Sequence, residues 1–176
     1  ISTQVDPSDP NTFTFLTQNA AEGINRGLEL NMTMQASNSL DVFFNLGLLK
    51  TEIKNWESRP DLEGREQAHA PEKSYAFGLN WNPFENSFFS INFVGKSDFY
   101  YSDSHNNKSK SYALTNINYS YISGQWTYSI WGRNIFDKYY STRGFYFGNE
   151  APNFTETLYE RHGDPRHIGA TVKYDF

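Results

Sequence analysis

The residues best suited to chemistry are four histidines, His69, His105, His162 and His167, all in polar stretches. Asp103-Ser104-His105 and Glu160-Arg161-His162 place imidazole beside carboxylate, a donor set that zinc and iron accept. Neither stretch has the ligand spacing of a helix or a hairpin, so both read as solvated side chains. His162 with Asp164 offers a base, but covalent or general-base chemistry also needs a positioned nucleophile. The absence of cysteine removes thiol nucleophiles, disulfide frameworks and Cys-ligated metal. Asp61-Leu62-Glu63-Gly64-Arg65-Glu66 lacks calcium-loop spacing and reads as a solvated loop. No catalytic residue, metal site or cofactor is expected.

Recognition is the better-supplied chemistry. The stretch from Ser141 to Gly163 carries Arg143, Tyr146, Phe147, Glu150, Tyr159 and Arg161. Arginine and large aromatic side chains give wide contact areas and directional hydrogen bonds, as recognition surfaces use. Arg143, Tyr146, Glu150, Tyr159 and Arg161 are therefore the candidate ligand contacts. The competing reading is a loop that packs on its neighbours.

What positions such a loop is a chain of period-two segments. Phe89, Ile91, Phe93, Gly95, Ser97, Phe99 and Tyr101 share one parity, opposed by Ser90, Asn92, Val94, Lys96, Asp98 and Tyr100. Successive strand side chains point to opposite faces, so one face is apolar and the other mostly polar. Ten residues of strand cover roughly 33 Å. Tilted by ~40°, that is roughly 25 Å of membrane normal, the height of a lipid-facing barrel band. The alternation recurs at Leu28–Met34, Leu40–Leu48, Tyr75–Trp81, Ile117–Tyr121, Trp126–Ile130 and Ile168–Phe176, with Phe43 out of pattern. An opening strand around Thr12–Asn19, preceded by an irregular stretch with Pro7 and Pro10, brings the expected count to about eight.

Connections alternate in length. Ser37–Ser39, Asn82–Asn86 and Ser123-Gly124 are tight, whereas Glu57–Glu72, Asp103–Lys108 and Ser141–Gly163 are long and polar. Outer-membrane barrels have short turns on one side and long loops on the other. Composition agrees, with 18% aromatic residues but only 38% apolar ones, because only alternate residues face lipid. No run approaches the ~18 apolar residues of a spanning helix. A net charge of -5 disfavours nucleic acid. The opening residues have neither a basic start nor an apolar stretch, so a missing front is expected. The Asn-x-Ser/Thr matches at Asn31, Asn107, Asn118 and Asn153 are taken as chance.

The chain ends Val172, Tyr174, Phe176 on one parity, which resembles the assembly signal that outer-membrane barrels present to their insertion machinery. Asn134-Ile135-Phe136-Asp137-Lys138-Tyr139-Tyr140 resembles the N-L-F-D-K-x-Y segment of the penultimate strand in TonB-dependent receptors. Gly163-Asp164-Pro165-Arg166 is similar to their G-x-P-R entry to the final strand, and Gly27-Leu28-Glu29-Leu30 to their G-x-E-L strand opening. Ala70-Pro71 before Ser74-Tyr75 resembles another of their strand starts. Asn134, Phe136, Asp137, Lys138, Tyr140, Pro165 and Arg166 carry this resemblance as structural residues; Asp137 and Lys138 are expected to stabilise the strand–loop junction, with Tyr139 and Tyr140 in the outer aromatic girdle. Asn134 falls on the apolar parity of its strand, which calls for a bulge or a different strand reading.

The resemblance implies an all-β, antiparallel transmembrane meander, the C-terminal part of a 22-stranded TonB-dependent receptor barrel. Residues 1–176 would form one barrel segment without the plug domain. It also implies uptake of a scarce ligand (iron-siderophore, haem, cobalamin or sugar) in the bacterial outer membrane. The implied partners are lipid, the barrel-assembly machinery, the rest of the barrel and the plug, with TonB engaged only through that plug. The rivals are a self-contained eight-stranded barrel of structural or adhesive role, an outer-membrane hydrolase, and a soluble sugar-binding sandwich.

Overall fold

A computed structural model describes residues 22–176, together with the backbone of residues 2–4 and 13–15. Its strands are β1 (Ser2–Gln4), β2 (Phe13–Phe15), β3 (Glu22–Ser37), β4 (Leu40–Asn55), β5 (Lys73–Trp81) and β6 (Ser87–Lys96). They continue with β7 (Tyr112–Ser123), β8 (Trp126–Arg133), β9 (Ser141–Gly148), β10 (Glu156–His162) and β11 (His167–Tyr174). Seven of these form one antiparallel sheet in the order β11-β8-β7-β6-β5-β4-β3. Every neighbour in that order follows in sequence except β8 and β11, between which the β9–β10 hairpin is inserted. The strand expected near Thr12–Asn19 is present as β2, paired with β1 rather than with the sheet. Its remaining residues, with Pro7 and Pro10, lie outside the described part.

Register shows why the alternation matters. Met34, Val42, Leu79, Ile91, Ile117, Gly132 and Ile168 are successive cross-strand partners and so share one face. Met32, Phe44, Phe77 and Phe93 form the adjoining row, with the Phe77 and Phe93 rings stacked at 4.8 Å. The opposite face is polar and bonded across strands. Asn116 Nδ2 donates to Asn92 Oδ1 at 2.9 Å, and the Ser120 and Ser129 hydroxyls meet at 2.8 Å. Burying neither face against another layer is a stable arrangement only where the apolar one meets something other than water.

Phe43 departs from the pattern for a local reason. It is paired with Gly78, and a Cβ built on that glycine would lie 2.9 Å from Phe43 Cζ and 2.2 Å from the Ile91 carbonyl oxygen. The ring fills the space a side chain would have taken, the aromatic cover that glycines in sheets attract. Trp131 lies over its partner Gly169 in the same way.

The tight connections are where expected. Gly124 has φ of 58°, as the first central position of a two-residue type II′ hairpin requires. Two expectations are corrected. β6 stops at Lys96, because Phe99 and Tyr101 turn into the loop layer, where each is only 2% exposed. They do not continue the outward apolar row. The stretch Ser141–Gly163 is not an irregular loop but contains the β9–β10 hairpin. Three consecutive aromatics, Phe145-Tyr146-Phe147, hide its alternation.

Candidate functional site

The described apolar core sits in the long connections and at their roots, not between layers. Its members are Ile53, Leu62, Phe99 and Tyr101. Leu62 belongs to a 3-10 turn at Pro60–Leu62, so Asp61–Glu66 is an organised part of this layer rather than a solvated run. Arg65 ties it to the next loop. Its Nη1 donates to the His105 carbonyl at 3.1 Å and to Asn106 Oδ1 at 2.7 Å. Its Nη2 donates to the Ser102 carbonyl at 3.0 Å and to Asp103 Oδ1 at 3.1 Å. The guanidinium lies 4.4 Å from the centre of the Tyr100 ring, and Lys108 Nζ lies 4.2 Å from it. Lys108 also pairs with Glu66 and Asp98. Charge delocalised over an aromatic face and bonded through Nη1 and Nη2 to four acceptors holds Arg65 at only 9% exposed, while its buried Nε has no partner among the described residues.

The β9–β10 hairpin docks on this layer through one face. Tyr101 packs where a Cβ on Gly144 would stand, 2.2 Å from a ring carbon, so only glycine permits the approach. The Tyr101 hydroxyl donates to Glu160 Oε1. Burial, then the neighbouring Glu160 carboxylate, pushes the Tyr101 phenol up to about 12. His105 approaches Tyr146, with ring centres 5.7 Å apart. Burial and the nearby Arg65 charge hold His105 below its ordinary value, and its Nδ1 accepts from the Asn107 N–H. A cavity of about 630 Å³ opens between the two loops, lined by His69, Tyr101, His105, Arg143, Tyr146 and Phe147 among others.

Tyr101 gives a pH prediction with a fixed sign. A phenol whose value is higher folded than unfolded contributes stability that is complete below about 10 and is lost towards about 12. Hairpin docking should loosen over that interval, read as rising protease cleavage within residues 141–163. Tyr101→Phe should remove the step.

The hairpin's other face carries the recognition residues. Arg143 and Arg161 are direct cross-strand partners, as are Phe145 and Tyr159. The Phe147 and Tyr159 rings lie 5.2 Å apart, and the Tyr159 hydroxyl donates to Glu150 Oε1 at 3.4 Å. The structure therefore brings Arg143, Tyr159, Arg161 and Glu150 together on the hairpin, with Tyr146 on the opposite strand parity yet lining the same cavity as Arg143. Sequence reading missed Tyr101, Arg65 and His105 as organisers. The buried-aromatic parity of Phe99 and Tyr101 held the signal, obscured by its resemblance to a longer strand. Among the described residues no three His, Asp or Glu side chains converge as metal ligands. His162 instead meets the Tyr139 hydroxyl at 2.6 Å and Ser141 Oγ at 3.1 Å.

Below the hairpin, Asn134 leaves β8 with φ of 45°. The strand ends at Arg133, which resolves the parity conflict: Asn134 is a turn residue. Its Nδ2 donates to the Lys138 and Asp164 carbonyls, each at 3.0 Å, and its Oδ1 accepts from the Lys138 N–H at 2.8 Å. Asp137 Oδ1 accepts from the Arg166 N–H at 2.8 Å. Tyr140 packs against Tyr112 with the rings tilted and their centres 4.4 Å apart, and it occupies the space beside Gly163. Phe136 is 74% exposed, and Pro165 lies in the extended link before β11. At the far end Val172, Tyr174 and Phe176 are on the apolar parity; Tyr174 packs on Trp126 at 4.7 Å and on Phe176 at 4.9 Å.

The sequence profile described as "TonB dependent receptor-like, beta-barrel" matches residues 1–135. The chain belongs to that family. Solved structures agree on the fold. The ferric yersiniabactin uptake receptor FyuA from Yersinia pestis superposes with a TM-score of 0.76 at 17% identity, over 90% of this chain and 24% of that one. The ferric-catecholate import receptor Fiu from E. coli K12 gives 0.69 at 14% identity, over 99% and 23%. BauA, the ferric preacinetobactin receptor of Acinetobacter baumannii, gives 0.66 at 19%, over 100% and 25%. The chain thus spans about a quarter of the receptors it matches. Among the described residues this receptor-barrel segment is an open sheet, since β3 and β11 each pair on one side only. The self-contained eight-stranded barrel would need those two edges joined.

Proposed function

We propose that this segment is part of the wall and outer rim of an outer-membrane receptor that takes up a ferric siderophore. The whole of residues 1–176 serves that barrel, and the remaining wall, the plug and, through the plug, TonB complete it. The observation that carries the reading is one sheet with a continuous apolar face, a hydrogen-bonded polar face and long connections at one end. The apolar face meets outer-membrane lipid, and the polar face lines the lumen. Val172, Tyr174 and Phe176 present the strand that the assembly machinery engages, and the Asn134–Arg166 junction holds the rim on the wall.

Siderophore is favoured over haem, cobalamin or sugar by the rim itself. Two guanidinium groups side by side, with Phe145, Phe147 and Tyr159 on the same face, suit an anionic chelate bearing aromatic rings. Charge-assisted hydrogen bonds to such a ligand contribute about 1.5–3 kcal/mol each. Arg143→Ala with Arg161→Ala in the intact receptor should therefore weaken ferric-siderophore uptake at least about tenfold. Uptake assayed across a panel of labelled ferric siderophores, haem, cobalamin and maltodextrins tests this. Transport confined to a non-siderophore ligand, or indifference to both substitutions, would overturn the ligand assignment.

A further inference from the structure

The apolar face is not apolar to its ends. β3 and β4 climb from the tight turn at residues 38–39 through Leu40, Val42, Phe44, Leu46 and Leu48, with Leu28–Met34 as partners. The next rung on the same face is Arg26 opposite Lys50. Lys73, the partner of Leu48 one rung below, continues this basic patch diagonally onto β5. All three side chains are exposed, and among the described residues none takes part in an ion pair. Glu52, one rung higher, is engaged by Lys54. Lys50 stands ten positions above Leu40, which at about 3.3 Å per residue and a tilt of ~40° is roughly 25 Å up the membrane normal.

Like charges directly opposite in a sheet are unfavourable on their own, and Glu52, the carboxylate on the adjoining rung, has its ion pair with Lys54, so the Arg26–Lys50 pair with Lys73 beside it calls for a further anion. The other end of the same face differs. It carries Trp81, Tyr121, Trp126, Tyr128 and Tyr174, and no lysine or arginine, because Lys173 pairs with Thr127 on the polar face. Every sheet lysine or arginine on the apolar face thus lies at the long-connection edge of β3, β4 and β5.

We infer that Arg26, Lys50 and Lys73 form a docking site for the phosphate groups of a lipid headgroup in the external leaflet. This rests on the outer-membrane reading above. Hydrocarbon packs on Leu28, Leu30, Leu46 and Leu48, and the basic patch receives the phosphates where the chains end. Each basic side chain near an anionic lipid surface contributes a factor of about five in binding.

The test uses the intact receptor in uncharged detergent, titrated with dioleoyl phosphatidic acid and followed by native mass spectrometry. Retention should fall roughly a hundredfold in the Arg26→Gln, Lys50→Gln, Lys73→Gln triple variant. It should be unchanged in Lys173→Gln, and excess inorganic phosphate should not displace the lipid. Undiminished retention in the triple variant overturns the site, as does displacement by inorganic phosphate, which would make it a free-anion site. Heat-modifiable gel mobility reports insertion separately. A receptor that never inserts into liposomes sinks the outer-membrane reading as well, whereas one that inserts normally but binds phosphatidic acid without the three residues sinks only this inference.

Discussion

Asn134→Ala should destabilise the receptor barrel by about 4–5 kcal/mol, the largest effect of any single substitution at the junction. Three hydrogen bonds of the Asn134 side chain would vanish from a site that is 4% exposed. They would leave one N–H and two carbonyls without their partners, and each lost bond costs about 1 kcal/mol or more when its partner stays buried. Alanine at φ of 45° adds roughly 1–2 kcal/mol of backbone strain, which asparagine tolerates better. Asn134→Gly separates the two contributions, since it loses the hydrogen bonds but not the conformation. Guanidinium unfolding in lipid vesicles should rank wild type above Asn134→Gly, and that above Asn134→Ala. Equal midpoints for all three would show that the junction does not hold the rim.

Arg65→Ala should uncouple the first two long loops. It removes four hydrogen bonds, the Asp103 ion pair and the stacking on Tyr100. Because Asp103 is partly solvated, the ion pair itself contributes little. The larger part is the Ser102 and His105 carbonyls, which lose a charged donor. A local loss of about 2–3 kcal/mol follows, confined to the rim, so limited proteolysis within residues 102–108 should accelerate by more than tenfold. Heat-modifiable mobility of the barrel should not change. Arg65→Lys should rescue only a fraction, because an ammonium group cannot reproduce the planar fork. Unaltered cleavage in Arg65→Ala would mean that Phe99, Tyr101 and Leu62 hold the loops without it.

How far the sequence anticipated these features follows from what each depends on. The wall was legible because period two is a local property. Leu28–Met34 on β3 and Tyr75–Trp81 on β5 each announce their own face without knowledge of a partner. Phe43 resisted because its reason, Gly78, is on another strand. The rim was harder still. Arg65 reaches Ser102, Asp103, His105 and Asn106, and nothing in its own neighbourhood distinguishes it from a solvated arginine. Asn134 did leave a trace in the sequence, as a polar residue on an apolar parity, and the structure turns that anomaly into a left-handed turn. The recognition residues were half legible. Arg143, Tyr159 and Arg161 were expected in one loop, but only strand pairing separates them from Tyr146.

Placing the described apolar core above the sheet has a consequence for biogenesis. On the outer-membrane reading proposed above, the segments 56–72 and 97–111 cross the bilayer as polar chain, because the contacts that hold the Arg65 guanidinium, Lys108 to Glu66 and the Tyr101 hydroxyl to Glu160 are made between different loops. Translocation therefore precedes consolidation: the cap can set only when three hairpins stand abreast on the far side.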